Sequence, residues 1–131
     1  MLNDNVNELI GLSWGFADGC VDCAKLAVMA QKVIRGINIP YPYNYCEERA
    51  FTRLAHGLLV NEVKRLCVPV KKPSLGVVGV VQFQGETPHL ITFISETEFL
   101  HIPRNNTSRI TRFTKPYERR LVGLFWYKGV R

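Results

Sequence analysis

The sequence lacks a long apolar run, a basic leader and any internal repeat or low-complexity segment. No stretch approaches the roughly 20 apolar residues that cross a bilayer, so we expect no membrane span. The N-terminal run MLNDNVNELIGL contains Asp4 and Glu8 but no Lys or Arg, so we expect no secretory signal peptide. A chain of 131 residues is enough for one compact domain, which we place over residues 1–131.

Acidic residues are scarce in the C-terminal part of the chain, which carries the whole net charge of +6. Residues 1–103 hold nine Lys/Arg against ten Asp/Glu, whereas residues 104–131 hold eight Lys/Arg against Glu118 alone. A basic region of this kind could meet an anionic polymer or an acidic protein. It lacks the mixed aromatic and basic pattern of nucleic-acid-binding modules, so we expect solvent-facing strand positions and no nucleic acid as substrate.

Cysteines and histidines are few: Cys20, Cys23, Cys46, Cys67, His56, His89 and His101. Without a signal peptide we expect free thiols rather than disulfides. A structural zinc site is not favoured, because Cys46 and Cys67 each stand alone, 21 residues apart. We therefore predict no metal and no cofactor.

Hydrophobic spacing predicts helices in the first half of the chain and strands in the second. Asp22 can cap a first helix that Gly36 ends, and Asn44 and Glu47 resemble the start of a second helix that Pro69 and the following linker end. Strands are expected over residues 77–83, 90–95, 98–102, 108–113 and 121–127. The expected fold is α+β, with N-terminal helices packed on a C-terminal antiparallel β-meander.

Cys23 opens the first predicted helix, within GCVDCAKL. The helix N-terminus favours a thiolate over a thiol, so we expect a lowered pKa and a nucleophilic Cys23. A buried, inert cysteine fits this feature equally well. Cys20 and Cys23 also form a C-x-x-C pair, so a redox role stays open, although the β-α-β context of such sites is missing.

His89 and His101 are the candidate bases for a cysteine nucleophile. A hairpin that turns at residues 96–97 brings the two strands together, and equal parity puts both histidines on one face. His56 falls within the second predicted helix, where packing or exposure is the better explanation. The arrangement of one cysteine with two neighbouring histidines is typical of a nucleophile, its base and an orienting group.

Four segments resemble the phage branch of the NlpC-type cell-wall cysteine peptidases: WGFADGCVDCAKLA, RGINIPY, LHIPRNNTSRITRF and RRLVGLFWYK. The spacing of twelve residues between His89 and His101 is also similar to that of the family's base and orienting residue. The resemblance covers nearly the whole chain, and it implies a papain-like NlpC fold.

The resemblance also implies residue roles and a function. Cys23 would be the nucleophile, His89 the general base and then acid, and His101 the orienting residue, while Asp22 and Trp14 would lie at the substrate. The family cleaves amide bonds in peptidoglycan stem peptides through a thioester acyl-enzyme, so a phage tail-associated endopeptidase is expected. Such a protein is made in the host cytoplasm, joins other tail proteins in the virion and acts on the host cell wall. The alternative is a structural tail-tip component with little or no turnover.

Overall fold

A six-stranded antiparallel sheet forms most of the computed structural model, which describes residues 4–15, 21–39, 63–85 and 88–129. The elements are a 3₁₀ helix (Asp4–Leu9), α1 (Cys23–Arg35), β1 (Cys67–Val70), β2 (Val78–Val81), β3 (His89–Phe93), β4 (Glu98–His101), β5 (Arg109–Arg112), α2 (Lys115–Arg119) and β6 (Leu121–Tyr127). Residues 63–66, directly before β1, are also helical. Within these ranges no helix is long and apolar enough to cross a membrane.

The predicted fold class, an α+β papain-like packing of N-terminal helices on a β-meander, is wrong. Among the described residues only α1 exceeds seven residues, and the domain is β-rich. The strand order β1-β6-β2-β3-β4-β5 is not a meander either, because the last strand lies between the first two. Most of the second predicted helix, including Asn44 and Glu47, lies outside the described residues.

The sequence predicts the end of a helix and a linker where β1 lies, and that prediction is wrong as well. Cys67–Val70 pairs with β6, and Pro69 lies opposite Phe125. Pro69 cannot donate a backbone hydrogen bond, which an edge strand tolerates because one of its sides is free. The first strand of the sheet is therefore a short segment that carries a proline. Because proline is rare in strands, the sequence did not predict a strand there.

Helix α1 follows the prediction closely, with Asp22 as its N-cap and Gly36 as its C-cap. The Asp22 Oδ1 accepts a hydrogen bond of 2.8 Å from the backbone N–H of Lys25. Gly36 adopts the left-handed conformation (φ 67°) and its N–H donates to the Lys32 carbonyl, which closes the helix. These caps fix Cys23 as the first residue of the helix, so its place within the helix follows from local sequence.

The sheet is covered on both faces, and α1 lies on one of them. Its apolar residues pack with sheet residues that include Leu90 and Leu100. The opposite face holds a second cluster around Phe93, Phe99 and Ile91, which α2 partly covers. Burial on both faces explains why β2 is buried at every position rather than at alternate ones.

Candidate active site

Short backbone bridges hold the chain in place just before Cys23. The N–H of Val21 donates to the Ser13 carbonyl (2.9 Å), and the N–H of Gly15 donates to the Val21 carbonyl (2.9 Å). The N–H of Trp14 donates to the Asn106 carbonyl (3.0 Å), which ties the same segment to the loop before β5. Trp14 and Cys23 both pack against the same apolar cluster. Trp14 is thus near the helix start, and its expected contact with substrate stays a prediction.

Cys23 is half-buried beneath the sheet, at the start of β3. The backbone N–H of Leu90 hydrogen-bonds to its sulfur, and Leu90 directly follows His89. Desolvation raises the pKa of Cys23 to about 12, and the negative charge of Asp22 adds to the rise. The N–H groups of Leu90, Ala24 and Cys23 itself lower this pKa, but by less than desolvation and Asp22 raise it. The expectation of a lowered pKa is therefore wrong, because burial outweighs the helix N-terminus.

His89 and His101 lie side by side on neighbouring strands. In the hairpin Thr92 lies opposite Leu100 and Phe93 opposite Phe99, so the first residue of β3 and the last of β4 come together at one end of the sheet. The Nε2 of His89 is 3.1 Å from the Nδ1 of His101, a hydrogen-bond distance. Because one of the two nitrogens must carry the proton, the tautomers of the two rings are linked.

A third side chain extends this chain of hydrogen bonds. The Nε2 of His101 is 2.9 Å from the Oγ1 of Thr111 on β5. The His101 ring is edge-on to the rings of Phe99 and Tyr117, at centroid distances of 4.8 and 6.2 Å. His101 is buried, and both of its ring nitrogens have partners.

Burial keeps both imidazoles neutral at neutral pH. Desolvation lowers the pKa of His89 to about 4. Desolvation also lowers the pKa of His101 to about 3, and the nearby positive charges of His89 and Arg109 contribute to that shift. Together with the raised pKa of Cys23, these pKa values mean that the Cys23 thiol and both imidazoles are neutral at neutral pH.

The structure brings Cys23, His89 and His101 to one end of the sheet and places Asp22 at the start of α1, where the sequence predicts a helix cap. Asp22 is buried (4% exposed) and caps α1, so its side chain supports the helix start; its predicted contact with substrate is untested. Cys20, Cys46 and His56 lie outside the described residues. Within the described ranges no group of three metal-ligating side chains is present.

Two groups that contact these residues, Thr111 and the backbone N–H of Leu90, are not among the residues that the sequence predicts for the site. A backbone group has no sequence signature, and Thr111 could be assigned to the site only from the pairing of β4 with β5. The sequence matches no protein-family model and no curated protein. The resemblance to NlpC-type peptidases therefore stays a prediction.

Proposed function

We propose that the protein is a cysteine hydrolase of amide bonds, with Cys23 as nucleophile and His89 as base. The observation that supports it best is the pairing of His89 with His101 (3.1 Å), directly beside the backbone N–H that bonds to the Cys23 sulfur. A nucleophile next to a base that a third group orients is the general arrangement for covalent acyl transfer.

The hydrogen bond to His101 occupies the Nε2 of His89, so the Nδ1 of His89 is the nitrogen available to Cys23. In the proposed reaction the thiol proton moves to this Nδ1 as the sulfur attacks the substrate carbonyl carbon. The same nitrogen then gives the proton to the leaving amine, and a thioester remains on Cys23. Water, deprotonated by His89, attacks the thioester, and the released thiol regains its proton.

The neutral resting state decides when the proton moves. With the pKa of Cys23 at about 12 and that of His89 at about 4, the thiolate–imidazolium pair is not populated before substrate binds. Proton transfer then has to accompany the attack of sulfur on carbon, so His89 acts as a general base rather than as the partner of a preformed thiolate.

The substrate class in this proposal comes from the sequence resemblance. It is the peptide stem of peptidoglycan, and the protein would reach it as part of a phage tail, together with other tail proteins. Exposed basic side chains at and beside β5, among them Arg104, Arg109 and Arg112, suit an anionic cell-wall polymer or an acidic tail protein.

A second candidate function is a structural tail component without turnover, and the site's ionisation favours it. Desolvation holds both Cys23 and His89 in the neutral forms that a merely packed thiol and imidazole would have. In this alternative the hydrogen bond between the two histidines stabilises the end of the sheet, and the exposed basic residues form an assembly surface.

The test is digestion of purified peptidoglycan with detection of newly exposed amino groups. We expect the protein to release stem-peptide fragments, and we expect Cys23→Ala and His89→Ala to abolish the release. Cys67→Ala is a matched control, because Cys67 is a buried free thiol on β1 and should leave turnover unchanged. Fragment release that survives in Cys23→Ala would overturn the proposal.

Thiol alkylation separates the two candidates. If His89 serves as a base for Cys23, replacing it with Ala slows alkylation of Cys23 by a small electrophile. A structural protein would show the same Cys23 alkylation rate with and without His89, together with no release of fragments.

A further inference from the structure

We propose that Thr111 is a positioning residue for this site: its hydroxyl accepts a hydrogen bond from His101 and thereby fixes the tautomer in which the Nδ1 of His89 is unprotonated. The proposed role in catalysis rests on the proposed function. The hydrogen-bond chain does not, since it follows from the two distances, 3.1 Å between the histidines and 2.9 Å to Thr111.

Only two arrangements of protons satisfy both distances with neutral rings. In the first, His101 donates from Nε2 to Thr111 and accepts at Nδ1 from His89, so the lone pair of His89 is at its Nδ1. In the second, Thr111 donates to His101, which donates from Nδ1 to the Nε2 of His89, and the proton of His89 is then on Nδ1. The first arrangement leaves His89 able to accept the thiol proton, whereas the second does not.

The first arrangement also survives protonation of His89 without rearrangement. A protonated His89 must donate from Nε2, so His101 must accept at Nδ1 and carry its own proton on Nε2. That proton needs an acceptor in a buried site, and the Oγ1 of Thr111 is the atom at hydrogen-bond distance. The hydroxyl therefore serves both states of His89 in the same role.

Apart from Thr111, the groups described around His101 do not select which of its ring nitrogens carries the proton. The rings of Phe99 on β4 and Tyr117 on α2 lie edge-on to the imidazole. The charged group that acts on it is Arg109, opposite it on β5, which opposes protonation of His101. Arg109 therefore favours a neutral His101 without choosing between its nitrogens.

The experiment measures the ring-nitrogen tautomers directly, by long-range ¹H–¹⁵N correlation spectra of the ¹⁵N-histidine-labelled full chain. Single His→Gln variants assign the three rings. The test variant is Thr111→Val, which keeps the shape of the side chain and removes the hydroxyl, and Thr111→Ser restores the hydroxyl. Thr114→Val is the matched control, because Thr114 is exposed and makes no side-chain cap hydrogen bond.

We expect wild type, Thr111→Ser and Thr114→Val to show His89 protonated at Nε2 and unprotonated at Nδ1. Thr111→Val should move the proton of His89 toward Nδ1, because a buried N–H without an acceptor is less tolerated than a bare lone pair. In a turnover assay kcat should fall about tenfold in Thr111→Val with little change in KM, while Thr111→Ser recovers most of it.

Two results would overturn the proposal. One is a wild-type protein whose His89 carries its proton on Nδ1, which needs no variant to fold. The other is a Thr111→Val spectrum that is the same as that of Thr114→Val. An inactive wild type with the expected tautomers would instead refute the proposed hydrolase function. The role of Thr111 in the hydrogen-bond chain would still hold.

Discussion

Mild acid should destabilise this protein through His89 and His101. Their pKa values in the folded chain are about 4 and about 3, well below the ordinary 6.5, because both rings are desolvated. Between those values and 6.5 the unfolded chain binds more protons than the folded one, so stability falls as the pH falls. From pH 7 to pH 5 the linkage relation gives a loss of about 2 kcal/mol per histidine, about 4 kcal/mol for the pair.

That loss is large against the roughly 5–15 kcal/mol by which ordinary domains are stable. Urea unfolding at pH 7 and pH 5 measures it as a shift in the free energy of unfolding. The window lies above the ordinary pKa of carboxylates, so their protonation contributes little. The double variant His89→Gln/His101→Gln removes both titrating groups and should lose most of the pH dependence. An equal loss in wild type and double variant would refute the reasoning, as would a wild type that is equally stable at both pH values.

Two further substitutions test the packing and the electrostatics around the site. Gly79→Ala should destabilise the fold by about 1–3 kcal/mol in urea unfolding, because a Cβ there would lie 3.0 Å from Cγ1 of the fully buried Ile91; Gly129→Ala, with no atom near its Cβ position, should change little. Asp22→Asn keeps a capping oxygen but removes the charge that raises the pKa of Cys23, so alkylation of Cys23 near pH 9 should become faster when followed by mass spectrometry. An unchanged alkylation rate would show that this charge does not act on the thiol.

The elements that could be predicted from the sequence are those whose signals are local. Helix α1 has a capping aspartate, a regular apolar stripe and a closing glycine, and these signals agree with one another. The strands after residue 77 have β-branched and aromatic runs, and their positions were predicted to within a few residues. The fold class failed because it depends on which strands pair. No local signal shows that β6 inserts between β1 and β2, and Pro69 in β1 argues against a strand unless its edge position is known.

In the candidate site, too, the features with local sequence signals could be predicted and the others could not. The proximity of His89 and His101 follows from hairpin parity, which is a local rule, and the structure shows it at 3.1 Å. The contact with Thr111 depends on the register between β4 and β5, which the sequence does not contain. The pKa shift of Cys23 was predicted with the wrong sign, because the burial that raises this pKa depends on the packing of α1 against the whole sheet.

The sign of that pKa shift follows from comparing magnitudes. A helix N-terminus stabilises a nearby anion by about 0.3–1 kcal/mol at exposed positions and up to about 2 kcal/mol when partly buried. Raising the pKa of Cys23 from 9 to about 12 corresponds to a net cost on the order of 4 kcal/mol for the thiolate, so desolvation and Asp22 together exceed the helix contribution. The start of α1 thus lowers the cost of a thiolate without making it the resting form. In the proposed hydrolase, reactivity at Cys23 comes from His89 taking the proton during attack, so this proposal assigns turnover to the tautomer of the histidine pair and not to the helix.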